Sequence, residues 1–121
     1  MLISGKPRKQ RQFRYNAPMH VRQKFAHAHV PKDVREKLGI KKKSIEIRRG
    51  DTAKVVRGAN KGKSGKVANV DIKRNFVFIE GISRKVAKGK EILVPIRPSN
   101  VYITNVDLTD KYRRVKLTGK A

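Results

Sequence analysis

The chain has 121 residues, with 32 Lys and Arg against 9 Asp and Glu, for a formal net charge of +23. That length holds one ordinary domain, or a small domain with arms, and a composition of 37% apolar and 6% aromatic residues does not build an enzyme-sized core around a deep pocket. With no Cys and no Trp, disulfide frameworks, zinc ribbons and thiol chemistry are excluded, and no apolar run approaches the roughly 18 residues of a membrane span. The opening Met1-Leu2-Ile3-Ser4-Gly5-Lys6 lacks the apolar core of a secretory signal. The expected location is the cytoplasm.

Residues 1–15 are basic and show neither helical nor strand period. They read as an extended arm that orders only on a partner. Asn16-Ala17-Pro18 marks a helix start, a capping Asn followed by Pro in the first turn. Val21 and Phe25, four apart, share a face of the short helix that follows. A second short helix fits Lys32 to Leu38, with Pro31 at its start, Asp33 and Glu36 early and Gly39 as its stop. Lys41-Lys42-Lys43 is then a charged linker.

From about Ser44 the period becomes two. Strands are expected at 45–49, 52–57, 65–72, 75–80 and 92–96, with a sixth at 101–104. Turns at Gly50-Asp51, Gly58 to Gly65 and Gly81 to Gly89 separate them, and Arg84 to Lys90 reads as a hairpin tip with outward cations. Pro95 and Pro98 belong at an edge or a strand end. Phe76 and Phe78 share one face of their strand, and packing into the core is the favoured reading over a base-stacking platform. Beyond Val106, the spacing of Leu108, Tyr112 and Val115 predicts a helix capped by Thr109 or Asp110, with its Lys and Arg facing outward. The fold class expected is therefore mainly β: a small SH3-like barrel over residues 45–106, preceded by a basic extension with two short helices (1–44) and followed by a short, basic, helical tail (107–121).

A charge of +23 on so short a chain costs self-repulsion unless a polyanion neutralises it. Membrane binding by a basic chain needs an amphipathic helix with Trp, Phe or Leu on its apolar face, and no such stretch is present. Nucleic acid is the expected partner. The cations are spread along the chain, down to Lys111, Arg113, Arg114, Lys116 and Lys120 in the tail. A transcription factor concentrates them on one groove-facing element, so the pattern suits a protein embedded among folded RNA strands. The aromatics Phe13, Tyr15 and Phe25 lie among arginines. Phe13 and Tyr15 are candidates to stack on unpaired bases, and Phe25 is expected to pack with Val21.

His20, His27 and His29 have no Cys and no carboxylate near them within residues 1–32, so no metal site is expected. The nine acids are scattered, and Asp33, Glu36 and Glu91 are expected to pair with basic neighbours. No catalytic residue is proposed, no enzyme activity is expected, and no cofactor is implied.

The most informative segment runs from Gly50 to Asp71. Gly58, Gly62 and Gly65 stand in a loop between two strands, beside Lys61, Lys63 and Lys66. Glycine admits positive φ and leaves backbone N–H groups open, and consecutive N–H groups form anion-binding nests. The expectation is a phosphate met by both backbone donors and ammonium groups. The alternative is that the glycines only satisfy a tight turn.

The segment resembles the KOW motif through Gly58, Lys61-Gly62, Gly65-Lys66-Val67 and Val70. That motif occurs in ribosomal proteins and in transcription elongation factors of the NusG type. Lys6-Pro7-Arg8-Lys9-Gln10-Arg11, Tyr15-Asn16-Ala17-Pro18, His20-Val21-Arg22-Gln23-Lys24, the run Lys32 to Ile40 and the run Pro95 to Val101 resemble the archaeal and eukaryotic large-subunit ribosomal protein family called "L twenty-four" in the universal naming. The resemblance implies a structural, rRNA-binding constituent of the large subunit, near the polypeptide exit, taking part in early subunit assembly. Its implied partners are large-subunit rRNA and neighbouring large-subunit proteins, with no membrane and no homo-oligomer. The RNA-contacting residues expected are Lys6, Arg8, Lys9, Arg11, Arg14, Tyr15, Arg22, Lys24, Arg57, Lys61, Gly62, Lys63, Gly65, Lys66, Arg84, Lys85, Lys88, Arg97 and Ser99. The alternative is a KOW-type transcription or translation factor that binds nucleic acid transiently. Such factors carry a polymerase-binding domain before the barrel, for which residues 1–44 are short, basic and poor in apolar residues.

Overall fold

A computed structural model describes residues 3–119. Met1 and Leu2 of the opening segment, Lys120 among the tail cations, and Ala121 lie outside the described residues. Pro7 supplies the fixed φ that suits a first helical turn, and the Arg, Lys and Gln that follow are strong helix formers. Pro7–Asn16 accordingly form helix α1, where an extended arm was expected. The segment buries no residue, so it carries no apolar period to read. It docks through the Phe13 ring, edge-on to Phe25 with 6.1 Å between centroids, and through the Arg14 guanidinium, 4.8 Å from the Phe25 centroid.

Helix α2 (Met19–Arg22) follows Pro18 and runs into a 3₁₀ turn at Gln23–Phe25. Strand β1 (His27–His29) was not anticipated, because three residues with one buried side chain, Ala28, show no period. Helix α3 (Lys32–Leu38) falls where expected, and Gly39 ends it in the left-handed conformation, its N–H bonded to the Arg35 carbonyl. Val34 and Leu38 of α3 pack on the core.

The remaining strands are β2 (Ser44–Glu46), β3 (Thr52–Val55), β4 (Ser64–Asp71), β5 (Phe76–Ile79), β6 (Ser83–Lys85), β7 (Glu91–Leu93) and β8 (Val101–Asn105). Six of the eight form one sheet in the order β2-β1-β8-β3-β4-β5, and β6 and β7 make a separate hairpin. Only β1 and β8 run parallel. No sheet closes among the described residues, and helix and strand contents are nearly equal. The expected small β-barrel is therefore corrected to an open, mixed sheet with helices. Closure needs a continuous ladder of tilted, staggered strands, and β1, β2, β6 and β7 have only three residues each. Beyond β5 the ladder is limited to an isolated bridge, with Val77 N–H to Ile96 O at 2.7 Å and Ile96 N–H to Val77 O at 3.0 Å.

The core joins Val30, Ile45, Val55, Val67, Val77, Ile79, Ile82, Val101 and Ile103. On β5 the inward residues are Val77 and Ile79, while Phe76 and Phe78 are half-buried on the other face. The core assignment of the two Phe is corrected. A period of two groups alternate residues without saying which group faces inward.

Helix α4 (Lys111–Thr118) is capped by Asp110, which accepts the Tyr112 N–H at 3.1 Å. The Arg48 guanidinium, 3.0 Å from Asp110, and that N–H hold the Asp110 carboxyl below the usual carboxylate range. The helix was expected, but its buried face is Arg113 and Leu117, and Tyr112 and Val115 are exposed. Arg113 forms a bidentate pair with the fully buried Asp51, both contacts 2.6 Å. Arg113 also donates to the carbonyls of Glu46 and Asp107, each at 3.0 Å. Asp51 in turn accepts the Arg48 and Asp107 N–H groups. The two ion pairs among the described residues use Asp51 and Asp110, not the expected Asp33, Glu36 and Glu91.

Candidate nucleic-acid interface

Three groups of cations emerge from this frame. The first surrounds a cleft of about 530 Å³ between α1 and the β4–β5 turn. Arg14 and Tyr15 come from the last turn of α1, Arg22 from α2, Lys73, Arg74 and Asn75 from the turn, and Arg97 from the segment before β8. No carboxylate lines it. Arg22 bridges the parts: its Nε donates to Ala17 O at 2.8 Å, one Nη to Lys73 O at 2.9 Å and the other to Tyr15 O. Arg97 donates to Arg74 O at 3.0 Å and to Asn75 O at 3.4 Å, and its guanidinium lies 4.4 Å from the Phe76 centroid. Asn75 turns the chain with φ 60°, a left-handed conformation that Asn tolerates.

The second group borders the loop between β3 and β4. Arg57, Gly58, Phe76, Ile96 and Arg97 line a groove of about 250 Å³, so Arg97 stands in the wall of both depressions. Gly58 and Gly62 adopt φ near +93° and +92°, as the turn requires. The expected phosphate nest is altered, because the N–H groups of Lys61, Gly62 and Lys63 donate to the carbonyls of Gly58 (3.2 Å), Val55 (2.8 Å) and Asn60 (3.1 Å). Those donors are spent inside the loop, and what it turns outward there are the ammonium groups of Lys61 and Lys63. Gly65 has a packing reason: a Cβ there would lie 2.5 Å from the Glu80 carbonyl oxygen. Lys66 is exposed on β4 and close enough to Asp107 to help hold that carboxyl low, after the Thr109 hydrogen bonds and beside Arg113.

The third group, Arg84, Lys85 and Lys88, is exposed on the β6–β7 hairpin and its tip, apart from the main sheet. Lys6 caps α1, and Arg8, Lys9 and Arg11 are exposed along it. Lys24 and Ser99 are exposed on the two 3₁₀ turns. The structure thus brings Arg14, Tyr15, Arg22 and Arg97 together and leaves the hairpin cations separate. Lys73, Arg74 and Asn75 were missed as site residues. Their signal was the polar Lys73-Arg74-Asn75 break between Ile72 and Phe76, which marks a turn.

His27 has its imidazolium disfavoured by desolvation and by Lys116 and Lys42, against the pull of Glu46. His29 packs on Tyr102 with 5.0 Å between ring centroids. Among the described residues no three His, Asp or Glu side chains converge as a metal site, and no helix is long and apolar enough to cross a membrane.

An open sheet carrying cation-lined depressions and a basic helix that buries no residue has the charge distribution of a nucleic-acid-binding module. The model of the family that groups the eukaryotic ribosomal proteins L26 with their archaeal L24 counterparts matches residues 4–120. The chain is 46% identical over 112 residues to the large ribosomal subunit protein uL24 of Methanothrix thermoacetophila, covering 93% of this chain and 95% of that one. It is 44% identical to the uL24 of Methanocorpusculum labreanum, over 99% of this chain and 98% of that one, and 42% identical to that of Pyrobaculum islandicum, over 92% and 89%. The chain belongs to the archaeal and eukaryotic L24/L26 family of ribosomal proteins. Membership makes it a structural component of the large subunit rather than an enzyme.

Proposed function

We propose that the chain binds large-subunit rRNA through phosphate contacts, enters early in subunit assembly and sits near the polypeptide exit. The observation that carries the reading is the carboxylate-free cleft, where five cations from four separate segments converge. One guanidinium or ammonium on a surface is ordinary. Five that meet without an acid repel one another and are stabilised by a polyanion. Lys6, Arg8, Lys9 and Arg11 extend this surface along α1. Arg57, Lys61, Lys63 and Lys66 extend it past Arg97 toward the β3–β4 loop. The hairpin cations Arg84, Lys85 and Lys88 reach a separate strand of the same RNA or a neighbouring protein.

The test is retention on subunits. Large subunits washed in increasing monovalent salt and sedimented are expected to keep the protein at concentrations that strip transient factors. Replacement of Arg8, Lys9 and Arg11 by Glu is expected to lower its incorporation. Release of the wild type by a moderate wash would favour a transient nucleic-acid-binding factor instead.

A further inference from the structure

The cleft beside α1 has properties that a patch of surface cations lacks. It is concave, and its roughly 530 Å³ lies within the range of about 300–1,000 Å³ found for small-ligand sites. Two of its guanidiniums are fixed in advance, Arg22 by the carbonyls of Tyr15, Ala17 and Lys73, and Arg97 by those of Arg74 and Asn75. A ligand therefore meets groups whose ordering cost has already been met by the fold. The Tyr15 ring is 80% exposed on a backbone that Arg22 holds in place. Asn75 lines the cleft, and its Oδ1 is buried with no hydrogen-bond partner among the described residues. A buried acceptor without a donor is a deficit that an incoming N–H relieves.

These properties select among ligands. A double helix can press its backbone phosphates against the cleft but keeps its base faces stacked inside, so it leaves the free ring and Asn75 unused. A lone phosphate satisfies the cations and leaves Tyr15 and Asn75 unused. An unpaired nucleotide uses all of them. Resting on the rRNA-binding reading above, we propose that the cleft takes one unpaired nucleotide of RNA, drawn out of its stack. The base lies on the Tyr15 ring, its edge beside Asn75, whose side chain turns to bring Oδ1 out to a base N–H, and the flanking phosphates meet Lys73 and Arg74. Arg22 and Arg97 form a cationic wall. Phe25 is not the stacking ring, because Arg14 covers it and Phe13 abuts it.

The test uses three RNA hairpins that differ at one position: a bulged adenosine, an abasic residue in its place, or no bulge. Each is titrated at fixed salt against the wild type and the variants Tyr15→Leu, Tyr15→Phe and Asn75→Gly. The wild type is expected to prefer the bulged adenosine over the abasic hairpin by at least about fivefold, the lower end of what one base–aromatic stack is worth. Tyr15→Phe keeps the preference. Tyr15→Leu loses it, the bulged and abasic hairpins then binding alike. Asn75→Gly, which tolerates the left-handed turn, loses part of it. Equal wild-type affinity for the three hairpins overturns the nucleotide site and leaves the RNA-binding reading standing. Failure to bind any of them overturns that reading itself. A polyglutamate peptide that displaces bulged and unbulged RNA equally well also overturns the site, since the cleft then answers to charge alone.

Discussion

Gly65 shows how one missing side chain sets the spacing of two strands. Its φ is ordinary, yet a Cβ would stand 2.5 Å from the Glu80 carbonyl oxygen and 3.1 Å from Ile79 Cγ2. The first neighbour is backbone and cannot rotate away. Gly65→Ala is expected to destabilise the protein by about 1–3 kcal/mol, the usual cost of overpacking, read as a lower denaturation midpoint with unchanged slope. An unaltered midpoint would show that β4 and β5 part easily. At this scale the sequence marked Gly65 as special through its place in the motif, but not whether a phosphate or a carbonyl needed the space. The same ambiguity hid the use of the N–H groups of Lys61, Gly62 and Lys63, because a glycine-rich loop looks identical whether its donors face in or out. Arg22 and Arg97 read simply as cations, and their grip on backbone carbonyls needed residues as distant as Lys73 and Arg74 to be located first.

At the scale of elements, the tail helix is held by chemistry that its pattern conceals. Leu108, Tyr112 and Val115 have helical spacing, and a helix is there. What faces inward, however, is Leu117 and the Arg113 guanidinium paired with Asp51. An arginine on a basic helix reads as solvent-facing, because burial of a charge is expected only where its partner is known, and the partner lies 62 residues away. Removing one member leaves a buried, uncompensated charge. Arg113→Met and Asp51→Leu are each expected to cost about 3–5 kcal/mol, and the double variant clearly less than the sum of the two. Denaturant titrations of the four proteins give the coupling, and strict additivity would refute it. The other elements were legible in proportion to their length and period. Residues 64–71, 76–79, 101–105 and the helix before Gly39 fell close to expectation. The three-residue β1 and α1, which buries no residue, carried no period to find. The open edge of the sheet was beyond reach as well, since alternation predicts strands and not whether the first and last of them meet.

For the whole molecule, a charge of +23 acts in opposite senses on folding and on binding. In the free protein, like charges repel across a small body, and added salt screens them over a Debye length of about 10 Å at 0.1 M. In the complex, each phosphate neutralised steepens the loss of affinity by about 0.7–0.9 log units per decade of salt. The midpoint of thermal unfolding of the free protein is therefore expected to rise with monovalent salt while RNA affinity falls. If both fell together, self-repulsion would not limit the isolated fold.

The pairing of Asp51 with Arg113 also sets an order of events during synthesis. The carboxylate is synthesised 62 residues before its guanidinium, and until the two meet that corner of the sheet must remain hydrated. The burial of Asp51 is thus deferred until residue 113 is present and free to fold back, and a chain cut before that residue leaves the carboxylate without the guanidinium that pairs with it.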